Sequence, residues 1–418
     1  MKVKRIKASA LQFAVLISVI VVLLLGSFLT LTYTHQFFKQ QSSIVLDVVA
    51  ASNEGVYKSL VPEQKKISGH SGEKDKMFTE VSENSWGGYR TITSVARNGE
   101  KEFTKMALVG TEKRDDKTAI YIGDGQLPLV LAGNTRIEGT AYISDKGVKP
   151  GVISGNYYNG KELVLGAIRS SSGSLPGLSP QWENNTKNWL NYVPNGNDSV
   201  IELRPQILNS FFNKTAVIYQ NEAFDIAETL KGNILIKSDT EVRVKGNAQL
   251  ENAYVIAPKI TIEKGFKGNA HFLAEEQLIL EENVKLNYPS SLILIDSNKD
   301  FKEPTPKGEE PILIGAQSTL EGVVIYMPKA DIEELHANTS IEIAENTQIK
   351  GDIYCEGNLE LLGTVSGAVY TNRFIANASG SRYVNHIYNG KVFGNKNSSE
   401  FCGLPFENSI NNIVQWLY

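Results

Sequence analysis

Residues 242–280, VRVKGNAQLENAYVIAPKITIEKGFKGNAHFLAEEQLIL, hold three short strand patterns at one interval. Val242-Arg243-Val244, Ile260-Thr261-Ile262 and Leu278-Ile279-Leu280 stand eighteen residues apart each time. Ile341-Glu342-Ile343 and Leu359-Glu360-Leu361 repeat the same step further along. A second element, hydrophobic-x-Gly-x-hydrophobic-Tyr, recurs as Ile137 to Tyr142, Ile349 to Tyr354 and Val365 to Tyr370, with looser copies at Leu250 to Tyr254 and Leu320 to Val323. Short alternating strands at a period near 18 predict a β-solenoid of about three strands per coil. Inward residues would stack as apolar ladders, and glycine or asparagine would supply the tight corners. Gly139, Gly322, Gly351 and Gly367 are the expected corner glycines. An antiparallel sandwich also uses short alternating strands, but it would not hold an eighteen-residue register.

Working outward, the solenoid is expected over residues 117–380, interrupted at 180–230. That insertion holds Trp182, Trp189, Leu190 and Tyr192, then Ile207, Leu208, Phe211 and Phe212 at a helical spacing, then Phe224, Ile226 and Leu230. It would cover the open edge of the first coils or present a partner surface; covering keeps the aromatic residues from water. Asp296 to Glu310, with Pro304 and Pro306, reads as a loop. Residues 381–418 read as a non-repeating C-terminal cap whose apolar end, Ile410 to Tyr418, packs back as a helix or strand or docks on a neighbour. The stretch from Gly351 to Phe374, GDIYCEGNLELLGTVSGAVYTNRF, resembles the bactofilin type of polymer-forming repeat, with echoes at 232–295 and 313–328. The resemblance covers about two coils and implies a solenoid fold and end-to-end scaffolds. Interrupted and capped coils oppose open-ended polymerisation here.

Toward the N-terminus the pattern changes. Residues 1–7 form a basic tip with Lys2, Lys4, Arg5 and Lys7, and residues 8–34 contain no charge. An uncharged run longer than the roughly 20 residues that cross a bilayer predicts a transmembrane helix rather than a cleaved signal peptide. The basic tip predicts a cytoplasmic N-terminus, with the rest outside the cytoplasm of a bacterial inner membrane. Val45, Val48, Val49, Val56 and Leu60 continue a helical spacing, so residues 35–62 are expected to extend the helix as an amphipathic stalk ending near Pro62. A polar linker is expected at 63–83, inside a small α+β region over 63–116. There Tyr89 to Ala96 and Phe103 to Val109 alternate around the turn Arg97-Asn98-Gly99-Glu100. A basic tip, a membrane half-helix, an amphipathic outer half and an antiparallel sheet together resemble the type IV pilin and minor pseudopilin design over about residues 1–115. No Gly precedes Ala8 and no Glu stands five residues into the apolar run, so processing at this site is not expected.

The expected fold class is therefore mainly β: a transmembrane and stalk helix, a small α+β region and a capped β-solenoid. A net charge of -4 with basic residues spread along the chain argues against a nucleic-acid partner. The five histidines form no metal spacing, and no nucleophile elbow, phosphate loop or dinucleotide fingerprint occurs. Asp296-x-Asn298-x-Asp300 opens like a calcium loop, but Phe301 replaces its glycine and Lys307 its closing glutamate. No cofactor, metal or catalytic residue is expected. The only cysteines, Cys355 and Cys402, could form one disulfide outside the cytoplasm or remain two buried thiols. The partners implied are the lipid bilayer, through residues 8–34, and other envelope or assembly proteins; a homo-oligomer fits the same pattern. Three functional classes follow: a non-enzymatic, membrane-anchored envelope scaffold, a minor pilin-like subunit of a pilus or secretion system, and a carbohydrate-active β-helix protein. For the third, the acidic pairs Glu275-Glu276, Glu281-Glu282 and Glu333-Glu334 are adjacent in sequence, which in strands sends their carboxylates to opposite faces.

Overall fold

The computed structural model describes residues 8–61, 77–112, 117–123, 127–195, 199–296, 308–328, 338–394, 401–407 and 409–418. The basic tip 1–7, most of the expected linker, and Asn298 to Lys307 of the calcium-like loop lie outside them. The protein is mainly β, with one long apolar N-terminal helix and a large parallel sheet. Its described residues form two units: 8–55 with 77–81 and 94–105, and 56–61 with 82–93 and everything from 106 onward.

The first unit is built on helix α1, Ala8–Ser59, a single rod of 52 residues and roughly 78 Å at 1.5 Å per residue. It runs from the apolar segment into the amphipathic one without a break and ends where Pro62 requires. An 18-residue window of this helix reaches a mean hydropathy of 2.8, and none of it is buried. The hydroxyls of Ser18, Ser27, Thr30, Thr32 and Thr34 each donate to a carbonyl three or four residues back. Those bonds satisfy the hydroxyl groups within the helix itself. Further up, Val48 and Ser52 become fully buried. A Cβ at Gly55 would meet Ser94 Oγ at 2.2 Å and Thr79 at 3.2 Å, so this face of the helix lies against strands of the same unit.

Those strands are β1 (Met77–Trp86), β2 (Tyr89–Asn98) and β3 (Lys101–Glu112), adjacent in that order. Two-residue links, Gly87-Gly88 and Gly99-Glu100, make both pairs hairpins. The Asn-Gly turn falls where the sequence places it, whereas β1 takes the end of the stretch read as linker. Residues 106–112 of β3 belong to the second unit, where residues 106–111 pair antiparallel with Asn411–Leu417, in the register Met106 to Leu417 and Thr111 to Asn411. The C-terminal segment is thus a strand. Asn411 also donates from its backbone N–H to Leu60 O at 3.0 Å.

The second unit is dominated by the parallel sheet. Val242 pairs with Ile260 and Ile260 with Leu278, the eighteen-residue step of the sequence. The series continues from Leu278 to Ile312, Ile312 to Ile341 and Ile341 to Leu359, so loops of differing length leave the register intact. Val242, Ile260, Leu278, Ile312, Ile341 and Leu359 form one inward column at 0 to 1% exposure. A second column holds Leu286, Leu320, Ile349, Val365, Val392 and Ile137, each paired with the next and each nearly inaccessible. Each such side chain contributes about 1.5–3 kcal/mol by leaving water. β-Branched residues suit strands buried on both faces.

Three expectations change. Residues 180–230 are not one insertion: 180–190 is helix α2 (Pro180–Leu190), whereas Gln206–Asn209, Ala216–Gln220 and Thr229–Gly232 are strands of the parallel sheet. Ile207 and Leu208 pair with Leu230 and Lys231 in that sheet, which overrides their helical spacing. Nor do the layers stack in chain order. Ile120 pairs with Val369 and Ala141 with Ile120, while Ile137 pairs with Val392. The layer formed by residues 118–143 therefore sits against the one formed by 364–393, and the stretch 381–418 is not wholly non-repeating, because Lys391–Phe393 belongs to the ladder.

Candidate functional site

The outer face of the parallel sheet carries two rows set by register. One runs Leu235, Tyr254, His271, Ser291 and Val323. The other runs Ile256, Leu273, Ile293, Ile325, Tyr354 and Tyr370, and continues through Tyr121 and Tyr142 to Arg169. An apolar outer face of this size must be covered. The β1–β2 turn, α2 and the segment around Phe401, Leu404 and Phe406 join it in a single buried cluster.

Local chemistry positions α2. Ser179 caps its N-terminus by accepting from Trp182 N–H, and Pro180 opens the first turn. Lys237 closes the other end: its Nζ donates to Leu190 O at 2.7 Å and to Tyr192 O. Burial pushes the Lys237 amine below its ordinary range, with Asp239 and Glu275 partly offsetting the shift. Trp182, fully buried, donates from Nε1 to Gly87 O at 3.1 Å, and Trp189 donates to Ser85 O at 3.2 Å. Trp86 donates in turn to Asn252 O at 2.8 Å. Each indole thus combines a large apolar contact with a satisfied N–H.

The turn itself rests on His271. A Cβ at Gly87, where φ is +60°, would lie 2.4 Å from His271 Cγ, so only glycine lets the backbone approach this closely. Gly88 N–H donates to Ser291 Oγ at 2.9 Å, and Ser291 Oγ lies 3.0 Å from His271 Nδ1. Tyr89 and Tyr254 meet the imidazole edge-on at 5.9 and 6.4 Å. His271 Nε2 has no hydrogen-bond partner among the described residues. Serine and histidine at this distance are the atoms of a nucleophile and its base, yet both are wholly buried and nothing orients Nε2. The geometry is that of a clamp between a hairpin turn and the sheet.

Burial pushes the His271 pKa down to about 3. The unfolded chain, with an ordinary imidazole near 6.5, binds this proton more readily, so stability falls as pH drops from about 6.5 toward 3. The expected slope from this one group reaches about 1.4 kcal/mol per pH unit within that window. Urea titrations between pH 7.5 and 4.5 check it: His271→Asn, which keeps a nitrogen near Ser291, should lose less stability on acidification than the native chain. Parallel curves for the two proteins would contradict a buried neutral imidazole.

The other residues singled out by sequence are dispersed. Gly139, Gly322, Gly351 and Gly367 have φ of +124°, +150°, +152° and +153°, and Gly322 stands opposite Gly351 in the ladder. Gly322 and Gly351 lie inside the long strands Thr319–Pro328 and Gln348–Leu361, not between strands. Cys355 and Cys402 are both buried and neither is in a disulfide, so the buried-thiol alternative is the one the structure shows. The cause is position. Cys355 belongs to the inward apolar cluster, whereas Cys402 pairs with the end of β3 at Glu112 and its backbone N–H donates to Tyr288 OH. Burial pushes the Cys355 and Cys402 thiols up to about 12 and about 11. Among the described residues, no three His, Cys, Asp or Glu side chains form a metal-binding group. Sequence reasoning missed His271, Ser291, Gly87 and Gly88; the first two share a row only once the register is known, and the two glycines belong to a turn packed on it. No protein-family model, curated protein or solved structure matches the chain.

Proposed function

We propose that the protein is a non-enzymatic, membrane-anchored envelope protein whose extracytoplasmic part, a capped β-solenoid, serves as a rigid scaffold or assembly surface. The observation that carries this reading is the first half of α1: an uncharged apolar stretch with an 18-residue window that is wholly unburied, and with every serine and threonine hydroxyl from Ser18 to Thr34 bonded to its own backbone. The eighteen-residue parallel register, held across loops of unequal length, supports a solenoid, and fully packed inward columns support rigidity. The basic residues before Ala8 support a cytoplasmic N-terminus at the inner membrane. Topology is testable with Lys146→Cys in an exposed turn, because the native thiols are at most 1% accessible. A membrane-impermeant maleimide should label this variant in spheroplasts before the inner membrane is opened. Labelling only after lysis would place the sheet in the cytoplasm and end the proposal.

A second reading, a pilin-like minor subunit, is favoured by one feature. The helix continues unbroken beyond the apolar run and lays Gly55 against strands bearing Thr79 and Ser94. Mass spectrometry of the N-terminus in the native host separates the two. Cleavage near Lys7 supports a pilin-like subunit; an intact start supports the anchored scaffold.

A further inference from the structure

The β1–β2 turn, residues 86–89, rests on the parallel sheet through a single imidazole. We propose that His271 is an acid-sensitive latch: a second proton on its ring unseats the turn, and loosens α2 with it, while the inward strands beneath stay folded. Every residue of the latch lies in the second unit, so the inference does not depend on the membrane reading of α1.

The geometry leaves no place for that proton. His271 is wholly buried, and its Nε2 has no hydrogen-bond partner among the described residues. At the other nitrogen, Ser291 Oγ lies 3.0 Å from Nδ1 and accepts from Gly88 N–H at 2.9 Å. With a neutral ring, the hydroxyl serves both neighbours by accepting from the turn and donating to Nδ1. An imidazolium has two N–H donors and no acceptor. Ser291 would then receive N–H groups from both sides with its own proton unplaced, and Nε2–H would be an unpaired donor on a buried cation. The ring has no room to swing aside, since a Cβ at Gly87 would already stand 2.4 Å from its Cγ. Separating the turn from the sheet is the motion that lets water reach it.

No neighbour supplies a compensating charge. Around the ring stand Gly87 and Gly88 of the turn, Tyr89 of β2, and Tyr254 and Ser291 on the adjacent layers. Burial pushes both phenols up, so they stay neutral in acid. Asp352 acts on Tyr89 and Tyr288, whereas the imidazole responds to burial alone. On the covering elements, Glu83 pairs with Arg90 and Glu183 with Lys187. Trp182 and Trp189 donate to Gly87 O and Ser85 O, which couples α2 to the turn. Lys237 holds the far end of α2 and remains a cation in acid, so α2 should respond less than the turn.

The experiment follows hydrogen exchange of the full chain in lipid nanodiscs at pH 7 and pH 5, each rate corrected for the intrinsic pH dependence of amide exchange. A ring freed from the sheet titrates near its ordinary 6.5, so the open form binds the proton more readily and acid favours opening. Protection of residues 82–93 should fall about 25-fold between the two pH values, with a smaller fall in 180–190. The inward strands 241–244 and 259–262 should change far less. His271→Asn should abolish this dependence. Ser291→Ala, which keeps the imidazole, should open more at both pH values and keep the native ratio between them. Equal falls in the turn and the inward strands, an undiminished ratio in His271→Asn, or a lost ratio in Ser291→Ala would overturn the latch. If His271→Asn does not fold, the native and Ser291→Ala ratios decide the question.

Discussion

Gly351→Ala is expected to remove more than about 3 kcal/mol of stability, among the largest effects of any single methyl group in this chain. Two independent terms act at this position. Its φ of +152° lies where a side chain strains the backbone. The added Cβ would stand 1.7 Å from the carbonyl oxygen of Gly322 on the neighbouring strand, an atom that cannot move without breaking the ladder. Lys350→Ala, one residue away, is the comparison. Lys350 is exposed and its Nζ pairs with Glu321 at 2.7 Å, an interaction expected to be worth less than about 1 kcal/mol. Urea unfolding of both variants in the same micelles would measure the difference. Similar midpoints would mean that the backbone at Gly351 adjusts freely and that close approach does not fix it.

Trp182→Ala should cost about 3–5 kcal/mol, the range for deleting a large buried aromatic side chain. Its consequences should be local as well as global. The indole is wholly buried and its Nε1 holds Gly87 O, so its removal frees both α2 and the β1–β2 turn from the sheet. Hydrogen exchange should rise first in residues 86–89 and 180–190, with the inward strands between 242 and 280 protected longer. A uniform loss of protection across all three stretches would show that the cover and the sheet are one cooperative body, contrary to this expectation.

Much of the fold was legible from the chain alone, and the reason differs by element. The run from Ala8 to Thr34 was legible because it is uncharged and apolar over a length that only one long helix accommodates. The eighteen-residue step was legible because parallel layers in register oblige inward residues such as Val242, Ile260 and Leu278 to recur at one interval. The order of layers was not, since an edge-to-edge meeting of Ile120 with Val369 depends on the shapes of two surfaces remote in sequence. One trace of it was present: Tyr142 and Tyr370 end the same repeated element, and both belong to the outward row that Tyr121 joins, with ring centroids 5.3 and 6.1 Å from its own. Ile207, Leu208, Phe211 and Phe212 were misread as helical because their four-residue spacing fits a helix, whereas Ile207 and Leu208 are held in a strand by pairing with Leu230 and Lys231. The clamp was illegible for another reason. His271, Ser291 and the two glycines are ordinary residues until tertiary structure brings them within 3 Å of one another.

The joining of distant segments also sets the order in which this molecule can be completed. Strand Thr118–Ile122 waits for residues 369–371, and β3 waits for residues 411–417. Both are made early and are left with an unpaired edge until nearly all of the polypeptide has been delivered. Folding is thereby weighted toward contacts that close only after synthesis, which slows it and lengthens exposure of open strands. A copy cut short before residue 364 would keep those edges permanently bare, and a bare edge is a template for pairing with another chain.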